Sequence, residues 1–268
     1  MTESKCVRYG RDVEGFLDLP PSTNRYTYEG KEQFEEIARL EYHRLEHPLR
    51  HLQSEPFDNS LDTSEYFVII IDTPSYRRDF SVKLNVGVRQ FYNLTLHILI
   101  LKTFLPEHSE AAGVFHDAVM EALRPMGLNK AAILRYGGAS INVGDANEKQ
   151  PDCGGPRRRP RGVANRPSVV LEVGLSEPET QLRNDARMWV DPTREEANMA
   201  ITIRRAPVAQ YCVIEKTGDN ITVLQHPLTI PFNLLLGRPP SIPRETDIRL
   251  QKQDLVEIVT GVWELQKL

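Results

Sequence analysis

The strand signal at residues 169–173, within the run PSVVLEVG, constrains the fold of this chain more than any other sequence feature. Its branched apolar residues predict a buried strand, yet the run contains one carboxylate, Glu172. Burying an unpaired carboxylate costs several kcal/mol, so Glu172 must either face away from the main packing layer or have a partner. Strand alternation places Val170 and Glu172 on one face, and Leu171 and Val173 on the other.

The rest of the chain alternates between helix and strand patterns. Apolar residues at helical spacing predict helices over residues 33–52, 107–126, 176–190 and 254–265, with Ser176 as an N-cap and Pro48 kinking or ending a turn. β-branched and aromatic runs predict strands over residues 65–72, 94–102, 131–136, 140–143, 169–173, 199–204, 210–215 and 221–224, with a Pro-rich crossing segment before the last helix. Residues 1–30 lack periodicity and predict a loosely ordered lead-in. The order of elements predicts an α/β fold, with helices flanking a mixed central sheet, as a single domain over residues 31–268.

Composition excludes several classes of protein. Hydrophobic residues make up 40% and charged residues 26% of the 268 residues, and no apolar run approaches the length of about 20 residues that spans a bilayer. The N-terminus lacks the order of a secretory signal, and the three cysteines are far apart. We therefore expect a cytoplasmic or nuclear protein without a membrane partner, a zinc site or a disulfide framework. The net charge of −4 does not suggest a constitutive nucleic-acid binder, although residues 149–205 contain 11 Lys/Arg against 8 Asp/Glu.

Asp152 and Glu172 form the chemically most suggestive pair in this basic region. Two carboxylates brought together at a strand end make a site for a hard cation, because Mg²⁺ prefers one or two carboxylates with waters and phosphate oxygens. The residues alone leave a second interpretation open. In it, Glu172 pairs with an arginine such as Arg183 or Arg187, and Asp152 merely begins a turn.

Three short runs carry a family resemblance: KQPD (149–152), PSVVLEVGLSE (167–177) and LRNDARMW (182–189). Together they resemble fungal proteins related to the bacterial Uma-type restriction-endonuclease family, within the PD-(D/E)xK nuclease superfamily. The resemblance covers roughly residues 92–205. It implies a restriction-endonuclease-like core, with Mg²⁺ or Mn²⁺ between Asp152 and Glu172. In that superfamily an acidic residue or histidine of the upstream helix often completes the site, for which Glu110, Glu121 and His108 are candidates.

One position departs from the family pattern. The lysine of the motif should stand two residues after the acid, where this chain has Gly174. Arg183 and Arg187 are four residues apart on one helix face and are candidate replacements, as is Lys149. Arginine stabilises phosphate charge but is a poor general base, because its pKa lies above about 12.

The run PRRRPRG, Pro156–Gly162, contains the densest basic cluster, from Arg157 to Arg161. It either grips a nucleic-acid backbone, acts as a nuclear import signal, or forms a solvated hairpin tip. Two functional hypotheses follow from the resemblance: a metal-dependent nuclease that cleaves phosphodiesters at Asp152 and Glu172, and a catalytically degenerate nuclease fold that acts as a binding or interaction module. A structural protein unrelated to nucleases is the third possibility.

Overall fold

The structure of the chain is a computed structural model that describes residues 19–51, 64–80, 84, 86–129, 141–142, 147–156, 167–174, 179–190, 197, 199–204, 210–217, 220–224 and 228–265. The predicted strand over 131–136, the N-cap Ser176 and the basic run from Arg157 to Arg161 lie outside these residues. No helix in the described part of the chain combines the length and apolar character needed to cross a membrane.

A six-stranded sheet is built mainly from the first half of the chain. In spatial order its strands are β1 (Asn24–Thr27), β2 (Tyr66–Ile70), β4 (Ile98–Thr103), β3 (Val88–Asn93), β6 (Asn147–Lys149) and β5 (Ile141–Asn142). β1 and β2 are parallel, and the other neighbours are antiparallel. β1 lies within the predicted lead-in, and its polar sequence NRYT gives no apolar signal. The strand predicted over residues 94–102 is instead a turn at 94–97 followed by β4, and β3 was not predicted.

A five-stranded sheet follows. Its spatial order is β11 (Asn220–Leu224), β10 (Gln210–Thr217), β9 (Met199–Arg204), β8 (Pro167–Gly174) and β7 (Cys153–Pro156). β8 and β9 are parallel and the other pairs antiparallel, so the sheet is mixed. The crossover between the two parallel strands contains helix α4 (Glu179–Val190), as parallel neighbours require a long connection. The prediction of an α/β fold with a mixed sheet and packed helices is confirmed.

The remaining elements are α1 (Lys31–His51), α2 (Thr73–Asp79), α3 (Pro106–Leu123), α5 (Phe232–Leu236) and α6 (Lys252–Leu265), with a two-stranded sheet of β12 (Leu228–Ile230) and β13 (Ile248–Leu250). α1 continues through Pro48 to His51, so of the two expectations for this proline, a kink or an end, the end is wrong. α3 passes into a 3-10 turn at Arg124–Met126, and Gly127, with a φ of 80°, ends it as predicted. β12, α5 and β13 occupy the segment that was predicted to be a Pro-rich crossing.

The six-stranded sheet is covered on both faces. On one face Phe67 and Leu99 pack with Phe34 of α1 and Tyr76 of α2. On the opposite face the buried apolar residues are Tyr66, Val68, Phe91, Ile98 and Ile100, and Met188 of α4 packs against them. α4 therefore lies on the second face of this sheet.

The five-stranded sheet is also covered on both faces. Leu171 and Val173 belong to the largest core cluster, together with Phe115 of α3 and Leu255 of α6. Val170 instead packs with Ala186 and Trp189 of α4. The predicted alternation of β8 therefore holds, and Glu172 follows Val170 on the side of α4. Leu182, Ala186 and Trp189 recur at helical spacing in the sequence of α4, and all three are buried.

Candidate functional site at the boundary of the two sheets

Three cationic side chains project from the α4-facing side of the six-stranded sheet. On β4, Lys102 is paired with Tyr66 of β2 and Arg89 of β3, so these three residues form one cross-strand row. In the next row Phe91 of β3 is paired with Lys149 of β6. Cross-strand partners share a face of the sheet, so Lys102, Arg89 and Lys149 point the same way.

Three carboxylates face these cations from the other side of the boundary. Cys153 of β7 is paired with Leu171 of β8, so Asp152, directly before β7, stands beside Glu172. Both carboxylates are buried, with exposed fractions of 3% for Asp152 and 2% for Glu172. The third carboxylate, Asp185, comes from α4 and is also buried. The structure therefore brings the two predicted acidic residues together.

Asp152 is held mainly by Lys102. Its Oδ2 accepts hydrogen bonds from the backbone N–H of Val173 at 2.8 Å and from Lys102 Nζ at 3.2 Å. Lys102 Nζ also donates to the carbonyl oxygen of Val173 at 2.6 Å. Burial alone would raise the pKa of Asp152, but Lys102 and the Val173 N–H together hold it below its ordinary value.

Glu172 has a different environment. Its Oε1 accepts a hydrogen bond from Trp189 Nε1 at 2.5 Å and lies 3.5 Å from Lys149 Nζ. Burial raises the pKa of Glu172 to about 7; Lys149 and Lys102 oppose this increase, and the charges of Asp152 and Asp185 add to it. The two neighbouring carboxylates therefore have pKa values that are shifted in opposite directions, an arrangement that is common at functional sites.

Lys149, a predicted candidate, links Glu172 to α4. Its Nζ lies 3.1 Å from Asp185 Oδ2, which also accepts a hydrogen bond from the Tyr66 hydroxyl at 3.2 Å. Burial would lower the pKa of Lys149, but Asp185 and Glu172 raise it above its ordinary value. Lys149 therefore remains charged between two carboxylates.

The predicted helix arginines are placed less centrally than the lysines. Arg187 is exposed and Arg183 is half-buried. Lys102 was not predicted as a site residue, although it is a charged residue at the end of the apolar strand ILILKT, just as Glu172 is a charged residue within one. The contribution of Asp185 was also missed, because Asp185 belongs to the polar face of α4, which in sequence looks like a solvent-exposed face.

Of the three upstream-helix candidates, only His108 is buried. Glu110 and Glu121 are exposed on α3. Nδ1 of His108 accepts a hydrogen bond from the backbone N–H of Leu105 at 3.1 Å, and Nε2 lies 3.1 Å from Glu65 Oε2. Because Nδ1 is an acceptor, the proton is on Nε2, which donates to Glu65. His108 thus caps α3 and donates a hydrogen bond to Glu65.

A small cavity lies between the six-stranded sheet and α4. Its volume is about 30 Å³, room for about two water-sized spheres. Its walls are formed by Tyr66, Arg89, Gln90, Phe91, Ile100, Lys102, Lys149, Gln150, Glu172, Gln181, Asn184, Asp185 and Met188. The carboxamide oxygens of Gln90 and Gln181 are buried and have no hydrogen-bond partner among the described residues.

The donor set is compatible with a divalent metal ion. Within the described residues, no three His, Cys, Asp or Glu side chains are grouped as metal ligands. Mg²⁺ nevertheless needs only one or two carboxylates, with waters and substrate oxygens completing its shell. Oδ1 of Asp152 is a buried oxygen without a hydrogen bond in the described part of the chain, and it is therefore available to a cation.

Comparisons with known proteins leave the family open. No family model matches the sequence, and no curated protein matches it. The function is therefore argued from the site.

Proposed function

We propose that this chain is a divergent PD-(D/E)xK nuclease-like protein with a restriction-endonuclease-like core, which cleaves phosphodiesters with Mg²⁺ or Mn²⁺ at Asp152 and Glu172. The observation that carries this proposal is the placement of two buried carboxylates side by side, at β7 and β8, with a lysine in contact with one of them. A charged pair of this kind inside a core is expensive to maintain without a function or strong compensation.

The layering of the second half of the molecule supports the same proposal. α3 and α6 cover one face of the five-stranded sheet, and α4 covers the other. This arrangement agrees with the α/β/α core that the family resemblance implies.

Lys102 is the best replacement for the lysine that the motif lacks at Gly174. It contacts Asp152 directly and lowers the pKa of both Asp152 and Glu172, so its charge acts on both carboxylates. Lys149 acts instead on Glu172 and Asp185. Lys102 reaches the pair from β4 of the other sheet, and not from β8.

Each residue has a distinct part in the proposed chemistry. Asp152 and Glu172 would hold the metal ion, which when bound lowers the pKa of a water and neutralises phosphate charge. Lys102 supplies a fixed positive charge where negative charge develops on the phosphate. Trp189 orients Glu172 through its N–H.

The run from Arg157 to Arg161 is the proposed contact for the nucleic-acid backbone. It belongs to the segment that joins β7 to β8, the two strands that carry the carboxylates. Phosphate contacts by lysine and arginine make binding salt-dependent. Replacing the four arginines of this run with serine should therefore weaken binding and reduce its salt dependence.

The alternative of a catalytically degenerate binding module is favoured by the charge balance of the cluster. Lys102, Lys149 and Arg89 already offset the charges of Asp152, Glu172 and Asp185 without a metal. A buried and neutralised cluster of this kind can serve as structure alone.

A cleavage assay separates the two functions. Plasmid DNA and RNA would be incubated with the protein in Mg²⁺, Mn²⁺ or EDTA, alongside Asp152→Asn, Glu172→Gln and Lys102→Met. We expect metal-dependent cleavage that each variant lowers by about 100-fold or more, while Glu257→Gln on the exposed side of α6 leaves it unchanged. Absence of cleavage by the parent protein in either metal would favour the binding module, and cleavage that survives in the variants would remove the chemistry from this pair.

A further inference from the structure

We infer that Arg89 binds the phosphate group of a nucleic-acid substrate in the cavity between the six-stranded sheet and α4. This inference rests on the proposed function and deepens it, because it names the residue that would hold the group to be cleaved. Arg89 precedes residues 92–205, which carry the family resemblance, so no family motif predicts it.

The guanidinium of Arg89 is fixed before any ligand arrives. Its Cζ lies 3.7 Å from the centroid of the Phe104 ring, a stacked cation–π contact. The side chain is 19% exposed, so the guanidinium is largely enclosed and still reachable from the cavity that it lines. A planar donor held in this way suits recognition of a phosphate, because its geometry matches two phosphate oxygens.

Arg89 also has an unused donor. Its Nε is buried and makes no hydrogen bond within the described part of the chain. The carboxylate oxygen nearest to it among the ion pairs of the cluster, Oδ1 of Asp152, is 4.0 Å away, which is too long for a hydrogen bond. Buried N–H groups are nearly always partnered in folded proteins, so this donor indicates an acceptor that comes from outside the chain.

Cationic side chains outnumber carboxylates among the residues that line the cavity. Three cations, Arg89, Lys102 and Lys149, line it against two carboxylates, Glu172 and Asp185. Positive charge in an enclosed site attracts anionic groups strongly.

The size of the cavity fits the part of a phosphate group that would enter it. Its volume of about 30 Å³ admits the two free oxygens of a phosphodiester, each about the size of a water molecule. The side-chain oxygen of Gln181, which is more than nine-tenths buried, has no donor among the described residues and is available to a hydroxyl of the bound group.

Binding without cleavage tests this inference. The full-length protein in EDTA would be titrated with fluorescein-labelled 12-nucleotide DNA and RNA, single- and double-stranded, and followed by fluorescence anisotropy. We expect Arg89→Met to weaken binding by at least about tenfold and to lower the slope of log affinity against log salt by about one phosphate contact. Arg89→Lys should restore only part of the affinity, and Arg124→Met, at an exposed arginine, should change nothing.

A second variant and a second set of ligands keep the result interpretable. Phe104→Leu removes the stacking but leaves the charge, so a smaller loss of affinity is expected, with thermal unfolding and circular dichroism to verify that each variant folds. Inorganic phosphate and a nucleoside monophosphate serve as competitors. Strong competition by inorganic phosphate would identify a free phosphate ligand and overturn the nucleic-acid assignment. Oligonucleotide binding that is absent from the parent, or unchanged in Arg89→Met, would overturn the inference.

The two proposals fail in different ways. If oligonucleotides bind through Arg89 but no metal yields cleavage, the nuclease proposal fails and the phosphate site stands as part of a binding module. If the parent cleaves nucleic acid and Arg89→Met binds as well as the parent, the phosphate site fails and the nuclease proposal stands.

Discussion

The six-stranded and five-stranded sheets contribute opposite charges to their common boundary. Lys102, Arg89 and Lys149 come from strands of the first sheet. Asp152, Glu172 and the α4 residue Asp185 come from the second sheet and its helix. The charges of each part are neutralised largely by the other, so the contacts that join the two parts are also the contacts that form the site.

This difference between the two parts has an energetic consequence. A buried ion pair gives little net stability relative to a well-packed apolar pair. Removing one partner, however, leaves the other charge buried without compensation. A variant that removes one charge on either side of the boundary should therefore lower the free energy of unfolding. A double variant that removes both partners of a pair should recover part of that loss. That behaviour would show that the opposite charges form a charge interface, in which they stabilise each other across the boundary, and that each group of charges does not act on its own sheet alone.

The largest effect is expected at Lys102 and Asp152. Lys102→Met leaves Asp152 buried without its closest cation and should lower the free energy of unfolding by about 3–5 kcal/mol. Urea unfolding measures this loss. Combining Lys102→Met with Asp152→Leu should recover part of the loss, because neither charge is then buried alone.

Lys31→Met, at an exposed lysine of α1, is the control and should stay within about 0.5 kcal/mol of the parent protein. Strict additivity of Lys102→Met and Asp152→Leu would contradict the charge interface. It would show that the two side chains stabilise their sheets independently.

A smaller effect is expected in the pH dependence of stability, and it concerns the five-stranded side. The pKa of Glu172 is raised from 4.5 to about 7, so between these values the folded protein holds a proton that the unfolded chain releases. The free energy of unfolding therefore falls as pH rises through this window, by at most about 1.4 kcal/mol per pH unit. The pKa of Asp152 is lowered, so its contribution to the free energy of unfolding is lost as the pH falls. This loss occurs at pH values near and below the ordinary pKa of an aspartate.

Chemical unfolding of the parent and of Glu172→Gln between pH 5 and 7 isolates this contribution, because every other titrating group is common to both proteins. We expect a shallower decline of stability with pH in Glu172→Gln. Identical slopes in the two proteins would mean that Lys149 and Lys102 keep Glu172 ionised throughout the window.

The two sides of the boundary also differ in what the sequence reveals. The alternation of β8 predicted that Leu171 and Val173 enter the core while Glu172 faces elsewhere, because the period of a strand is fixed by backbone geometry. The pairing of Glu172 with Asp152 was expected from the short motifs. Asp152 directly precedes β7, the antiparallel neighbour of β8, and the two residues are only 20 positions apart in the chain.

The cationic side was much harder to predict. Lys102 is 50 residues from Asp152 in the chain, and the contact depends on how α4 and the six-stranded sheet pack. A strand pattern says which side chains share a face but not what that face meets. The position of Lys102 at the end of a long apolar strand was nevertheless a usable signal. The polar face of α4 that carries Asp185 gave no such signal, because its sequence does not differ from that of a solvent-exposed face.

The smallest effect is expected at Arg187, which tests whether the cations of the site come from the six-stranded sheet or from α4. The sequence made this residue a candidate for the missing cation, whereas the structure leaves it exposed on α4. Arg187→Met should change the free energy of unfolding by less than about 0.5 kcal/mol and leave the salt dependence of oligonucleotide binding unchanged. Lys149→Met is the matched contrast, because it leaves Glu172 and Asp185 without the ammonium between them and should be destabilising by more than about 1 kcal/mol. If Arg187→Met abolished binding while Lys149→Met did not, the cation of the site would come from α4, and the division of charge between the two sheets would be wrong.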